Sequence, residues 1–153
     1  MKQTIIAVIC FLCVSSLYIQ AQKINHPSLL YTPQRIQQVK QRMQHEPKLQ
    51  EAWGDIKRTA DEALQKKDFN RLDYLSLAYL MTDNKEYADV IKEILLKTVE
   101  AESWGDVEMM ARIPAWRSQL GMAHKSFLSA VGYDAAYNVM SSSERKKIAE
   151  GLK

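Results

Sequence analysis

The sequence predicts an all-α fold built from helical hairpins. After the first 21 residues, apolar residues recur every three or four positions, which is the period of a helix with one buried face. No stretch of the sequence after residue 21 alternates apolar and polar residues as a half-buried strand does. Polar capping residues and prolines divide the periodic stretches into separate helices.

Capping residues and prolines place the first helices. Thr32 followed by Pro33 predicts a helix start, because Thr accepts a hydrogen bond from a free N–H group and Pro fits the first helical position. Pro47 starts a second helix, which the run Lys66-Lys67-Asp68 ends. Asn70 is the expected cap of the third helix.

The third and fourth helices are expected to form a hairpin. The third carries the apolar residues between Leu72 and Met81, the fourth carries those between Tyr87 and Val99, and Thr82-Asp83-Asn84 is the turn between them. Such a hairpin is typical of tetratricopeptide-like solenoids and of α/α toroids. No repeat with a period of about 34 residues can be aligned along the sequence, so a solenoid is the weaker interpretation.

Two more helices are predicted after a long connection. One runs from Leu120 through Tyr137. In the next, Ser141 and Glu144 have the spacing of a capping box, and Ile148 and Leu152 begin an apolar stripe. The sequence stops inside this helix. We therefore expect an N-terminal piece of a longer protein, only marginally stable because its last apolar residues lack packing partners.

Residues 1–21 have the pattern of a secretory signal peptide. Lys2 supplies the positive charge, Ile5–Leu17 is an apolar run too short for a typical membrane span, and Ala21 is a small residue at the cleavage point. An uncleaved N-terminal anchor is the alternative. The leader predicts a periplasmic or secreted protein whose mature chain begins near residue 22.

Cysteine usage and charge exclude several kinds of site. Both cysteines, Cys10 and Cys13, lie in the leader, so the mature chain has no disulfide, no thiolate metal ligand and no cysteine nucleophile. The chain has 21 Lys and Arg residues and 18 Asp and Glu residues, and Lys2 is lost with the leader, which leaves a net charge of about +2. This balance predicts no nucleic-acid partner and no membrane partner after cleavage.

The connection Ala101–Arg117 is the best candidate for a binding element. It is long for a compact helical domain, and it brings tryptophan and arginine side chains together. Indole rings stack on sugar faces, and guanidinium groups pair with carboxylate or sulfate. We therefore predict substrate contacts at Trp116 and Arg117, with His124 as a third candidate. One alternative is that the Trp rings only hold the loop against the helices. The other is that His124 is a hydrogen-bonded residue within its helix.

The remaining polar residues carry no recognisable chemistry. His26 and His45 are interpreted as solvated or turn residues, and no histidine pair has metal-ligand spacing. No carboxylate pair can be argued from spacing, and Trp53 lies on an apolar stripe and is expected in the core. We predict no catalytic residue, no metal site and no cofactor.

Three segments, taken in order, resemble one family. Residues 25–36 (NHPSLLYTPQRI) are similar to its opening His-Pro-x-Leu-x-x-Thr pattern, residues 130–137 (AVGYDAAY) to its Gly-Tyr-Asp-x-x-Tyr helix, and residues 141–148 (SSSERKKI) to its Ser-x-x-Glu-Arg-x-x-Ile helix start. The family is the heparinase II/III-like polysaccharide lyases. The resemblance covers nearly the whole mature chain. It departs at Ala135-Ala136, where the family commonly has Trp and a bulky apolar residue.

The resemblance implies a fold and an activity. Residues 22–153 would be the N-terminal portion of an incomplete α/α toroid, truncated within a helix, with a β-sandwich domain to follow. The full protein would cleave an acidic, uronic-acid-containing polysaccharide by β-elimination. A Tyr or His would remove the C5 proton while an Asn, His or Glu neutralises the carboxylate. These groups are expected beyond Lys153, and Tyr133 is expected to pack rather than react.

Two other classes of function fit the same helices. A non-enzymatic periplasmic module of tetratricopeptide-like repeats would bind a protein or a glycan. An α/α-toroid glycoside hydrolase fragment would use water and paired carboxylates instead of elimination. Fold alone does not separate these alternatives from a lyase.

Overall fold

The computed structural model describes residues 24–101, 104, 108, 111–114 and 120–152, and this part of the chain is all helical. None of its helices is both long enough and apolar enough to cross a bilayer. The predicted signal peptide lies outside the described residues. The helices are α1 Pro33–Met43, α2 Pro47–Lys66, α3 Leu72–Thr82, α4 Lys85–Val99, α5 Leu120–Ala136 and α6 Ser142–Gly151, with 3-10 turns at Phe69–Arg71 and Tyr137–Val139.

The first two helices begin as the caps predict. The Thr32 hydroxyl accepts a hydrogen bond from the Arg35 N–H at 3.3 Å, and Pro33 occupies the first position of α1. Pro47 opens α2 in the same way. The left-handed backbone of Lys67, with φ of 51°, ends α2 immediately after Lys66.

The start of the third helix differs from the prediction. Asn70 does not cap α3, because an Asp68 carboxylate oxygen accepts a hydrogen bond from the Asn70 N–H at 3.0 Å. This local side-chain bond folds the next three residues into a 3-10 turn, and α3 begins only at Leu72.

The hairpin of α3 and α4 has a two-residue connection. Asp83 ends α3 in a left-handed conformation with φ of 57°. Asn84 caps α4, because its side-chain oxygen accepts a hydrogen bond from the Glu86 N–H at 3.1 Å. The predicted turn is therefore confirmed, and it sets α3 and α4 side by side.

Helix α3 is the centre of the fold. It contacts α2, α4 and α5, so its apolar residues face neighbours on several sides. Leu72, Leu75 and Ala78 have no exposed surface. Ala60 of α2 and Ile91 of α4 are equally buried against this core. Trp53, which the sequence places in the core, is half-buried and packs against its edge.

The last helix closes the core, contrary to part of the prediction. The capping box of Ser141 and Glu144 forms as expected. Ile148 is fully buried and Leu152 packs against the core, so neither lacks a partner. Helix α6 reaches α4 so closely that a Cβ atom at Gly151 would overlap Val99.

Gly132 permits the close packing of α5 on α3 and α4. A Cβ atom at this position would lie 3.3 Å from Ile91 Cγ2 and 3.3 Å from Leu72 Cδ2. Both neighbours are fully buried and have little room to move. The glycine of the Gly-Tyr-Asp segment is thus required for packing.

We predict that Gly132→Leu lowers the free energy of unfolding by about 1–3 kcal/mol, because the added side chain overpacks the contact of α5 with α3 and α4. Urea unfolding followed by circular dichroism measures the change. The matched control is Gly54→Leu in α2, where a Cβ atom would meet nothing within 4 Å. Leucine has a higher helix propensity than glycine, so this control substitution should raise the free energy of unfolding by up to about 1 kcal/mol. Equal effects of the two substitutions would contradict the packing role of Gly132.

Candidate functional site

A buried carboxylate fastens residues 26–29 to α5. Asp134 is only 3 % exposed. Its oxygens accept hydrogen bonds from the backbone N–H groups of Ser28 and Leu29, each at 2.8 Å, and lie 2.6 Å from Nδ1 of His26. We call this arrangement of Asp134 with residues 26–29 the Asp134 clamp.

Of the two interpretations of His26, the solvated residue is wrong, whereas the chain does bend at this position. Its side chain is 20 % exposed, and its ring stacks on Tyr137 with 3.8 Å between centroids. Its carbonyl oxygen accepts a hydrogen bond from the Asn138 amide at 2.8 Å. The partners of His26 lie more than a hundred residues away in the sequence. No local pattern around His26 could have indicated them.

Tyrosine and arginine side chains surround the clamp. The Arg145 guanidinium lies 4.6 Å from the centre of the Tyr137 ring, a cation–π contact. Tyr133 meets Tyr137 edge to face at 5.6 Å, and its hydroxyl donates to the Arg145 carbonyl oxygen at 3.4 Å. Burial, and secondarily Tyr137, raises the pKa of the Tyr133 phenol. Tyr133 also packs against the hydrophobic core.

The pKa of Asp134 reflects two opposing effects. Burial alone would raise it, because the charged form loses water. Hydrogen bonds from the Leu29 N–H, His26 and the Ser28 N–H favour the charged form and lower the pKa below its ordinary value. The carboxylate therefore stays ionised while buried, which a clamp requires.

A second feature, a groove beside the long connection, carries exposed chemistry. Its volume is about 600 Å³, and it is open to solvent between the end of α2, the second half of α4 and the first half of α5. Four lysines and two aromatic side chains line much of it: Lys66, Lys67, Lys97, Lys125, Phe69 and Trp104. We call it the lysine groove.

The lysine groove has an excess of positive charge. Glu93 is its one acidic lining residue among those described, and it pairs with Lys67 at 2.7 Å. The Lys125 ammonium donates to the Trp104 carbonyl oxygen at 3.0 Å, the one hydrogen bond of this ammonium among the residues that the structure describes. Within the described ranges, Lys66 and Lys97 have no ion-pair partner. The groove can therefore receive anionic groups.

The sequence-predicted site residues relate to this groove in different ways. Trp116 and Arg117 lie outside the described residues, so their roles stay predictions. His124 is exposed on α5, directly before Lys125, and is not among the described residues that line the groove. Trp104, part of the loop singled out from the sequence, does line it. The lysines were missed because they come from three helices, and only the fold brings them together.

No metal centre accompanies the groove in the part of the chain that the structure describes. No group of three or more His, Cys, Asp or Glu side chains there could hold an ion.

Comparison of the chain with protein families, curated proteins and solved structures finds no match. The function is therefore inferred from the geometry of the structure and from the resemblance of the three sequence segments.

We predict that Asp134→Asn lowers the free energy of unfolding at neutral pH by about 3 kcal/mol, because the amide loses the charge that three donors face. Thermal or urea unfolding measures the loss. The control is Asp89→Asn, since the Asp89 side chain is 71 % exposed and only meets Lys92 at 3.5 Å. This control substitution should change the free energy of unfolding by no more than about 0.5 kcal/mol.

The Asp134 contribution should also depend on pH. Because folding lowers the pKa of Asp134, its stabilisation is complete above the ordinary Asp pKa of about 3.9 and is lost as the pH falls through the lower folded value. The stability difference between wild type and Asp134→Asn should therefore narrow in acid. A difference that is constant from neutral pH to below pH ~3 would contradict an ionised clamp.

Proposed function

We propose that this chain is the N-terminal part of an exported polysaccharide lyase. Residues 22–153 would form the first helical hairpins of an incomplete α/α toroid. The substrate would be a uronic-acid-containing polysaccharide, cleaved by β-elimination. This part of the protein would bind the substrate and support the toroid, and the reacting groups would lie beyond Lys153.

The Asp134 clamp is the observation that carries the proposal. Among the segments that resemble heparinase II/III-like lyases, residues 25–36 are far in the sequence from residues 130–137 and 141–148, yet all three segments contribute to one cluster. His26 belongs to the first segment, Asp134 and Tyr137 to the second, and Arg145 to the third. Segments that resemble one family by chance have no reason to meet. Their physical interdependence supports a shared origin with that family.

The lysine groove supports the acidic character of the substrate. A net charge near zero over the mature chain gives no long-range attraction for a polyanion, so binding requires a local concentration of cations. The groove provides this concentration with two aromatic rings beside it. A neutral polysaccharide would gain hydrogen bonds but no charge attraction from the ammonium groups.

The proposed reaction assigns a limited role to these residues. In β-elimination, a base takes the C5 proton of the uronic residue, the C4–O bond breaks, and the departing oxygen receives a proton. The product gains a C4–C5 double bond. None of the described histidine or tyrosine residues stands free in the lysine groove, so we assign binding and not proton transfer to this part of the chain.

The test is to extend the reading frame beyond codon 153 and express the longer protein. We expect further amphipathic helices, an Asn and His cluster and then strands. The longer protein should release products with the ultraviolet absorbance of a C4–C5 double bond from polygalacturonate or a glycosaminoglycan, and none from neutral dextran. The 153-residue chain should be inactive. Lyase activity in the short chain would contradict the placement of the reacting groups, and a stop codon at position 154 would favour a binding module.

A further inference from the structure

We propose that residues 24–30 form an acid-released strap, which detaches from α5 when Asp134 takes up a proton while the helices stay packed. The strap includes residues 26–29 of the Asp134 clamp and ends before Tyr31, whose side chain is half-buried. This device belongs to the fold. It goes beyond the proposed lyase activity and does not depend on it.

Polar contacts, rather than apolar burial, hold the strap in place. Ile24, Leu29 and Leu30 are exposed, and Pro27 is the one buried residue of the strap. Detachment therefore uncovers little apolar surface, so the hydrophobic effect opposes it only weakly. Segments with few buried apolar contacts open at a lower free energy than the core of a protein.

Asp134 accepts most of the hydrogen bonds that hold the strap. The N–H groups of Ser28 and Leu29 donate to it at 2.8 Å, and Nδ1 of His26 lies 2.6 Å away. Hydrogen bonds to an ionised carboxylate are roughly twice as strong as those between neutral groups. A single proton on Asp134 therefore weakens three contacts of the strap at once.

No described group can replace the negative charge that acid removes. From the strap, His26 is the one charged partner that acts on the carboxylate. From α5 and the 3-10 turn after it, Tyr133 and Tyr137 contribute rings. From α6, the Arg145 guanidinium lies over the Tyr137 ring. Protonated Asp134 thus leaves the strap with the His26 ring stack and the Asn138 bond to the His26 carbonyl oxygen.

The core of the protein is built without the strap. Gly132 packs against Leu72 and Ile91 from nearly the opposite side of α5 to Asp134. Helix α3, the centre of the fold, contacts α2, α4 and α5. We therefore expect the strap to open as a separate unit while these helices stay together.

The direction of the pH effect follows from the two states of Asp134. The strap contacts hold the pKa of this carboxyl below its ordinary value. When the strap opens, water reaches the carboxyl and its pKa returns to about 3.9. Well above this pH both states are ionised and the opening constant does not change. As the pH falls from about 4 to the lower pKa of the closed state, the opening constant rises by at most about 10-fold per pH unit.

Amide hydrogen exchange of the mature chain, read by NMR, tests whether the strap opens separately. The Ser28 and Leu29 amides report on the strap, and the Leu75 and Ala78 amides report on α3. At about pH 6 we expect exchange of the first pair to depend far less on urea, because strap opening exposes little surface. Equal urea dependence of all four amides would show that the strap opens only when the whole protein unfolds, and would overturn the proposal.

The same amides test the acid release. The protection of Ser28 and Leu29 should stay constant down to about pH 5 and fall below about pH 4 by up to about 10-fold per pH unit. The helical circular dichroism signal should persist where this protection is lost. Simultaneous loss of both signals, or protection that does not change with pH, would contradict an acid-released strap.

Matched carboxylate variants identify the group that takes up the proton. Asp134→Asn should lower the protection of the strap amides at about pH 6 at least about 10-fold and should remove its dependence on pH. The control is Asp61→Asn, because Asp61 also has a lowered pKa but bonds to Lys57 and Tyr87. It should leave the pH profile of the strap unchanged. A profile that still falls in acid in Asp134→Asn, or one that flattens equally in Asp61→Asn, would overturn the assignment to Asp134.

Discussion

The buried carboxylate of Asp134 is the constraint on which the arrangement of the chain depends. A charged group cannot leave water unless donors replace the lost hydration, and residues 26–29 supply those donors. Gly132, two positions earlier, lies on nearly the opposite side of α5 and packs against Leu72 and Ile91. Helix α5 is therefore covered on both sides, by the core and by residues 26–29.

This two-sided burial connects the fold to the lysine groove. The same helix that carries Asp134 near its end carries Lys125 in its first half. Fixing α5 against α3 and α4 also fixes Lys125 relative to Lys66 and Lys97. Lys66, Lys97 and Lys125 lie on helices, which lowers the entropy that an anionic ligand must overcome on binding. Other lining residues lie in connections: Lys67, Phe69 and Asn70 between α2 and α3, and Ala101 and Trp104 after α4.

Short-range patterns in the sequence predicted the helices, but they did not predict the Asp134 clamp or the lysine groove. The caps at Thr32 and Ser141 act within a few residues, so the sequence predicted both. Asn84, which was predicted only as part of a turn, also caps α4. Asn70 does not cap α3, because the Asp68 carboxylate accepts a hydrogen bond from the Asn70 N–H. The spacing of the residues did not predict this bond. The pairing of His26 with Asp134 and the convergence of the groove lysines arise from contacts between distant segments, and no periodicity encodes them.

We propose above all that the lysine groove binds an anionic polysaccharide. Lysine acetylation read by mass spectrometry tests it at single residues in the unmodified protein, with and without dextran sulfate. We expect the polymer to protect Lys66, Lys97 and Lys125, whereas Lys48 and Lys85, exposed at the starts of α2 and α4, should react as before. Uniform protection of all these lysines, or protection confined to those outside the groove, would contradict it.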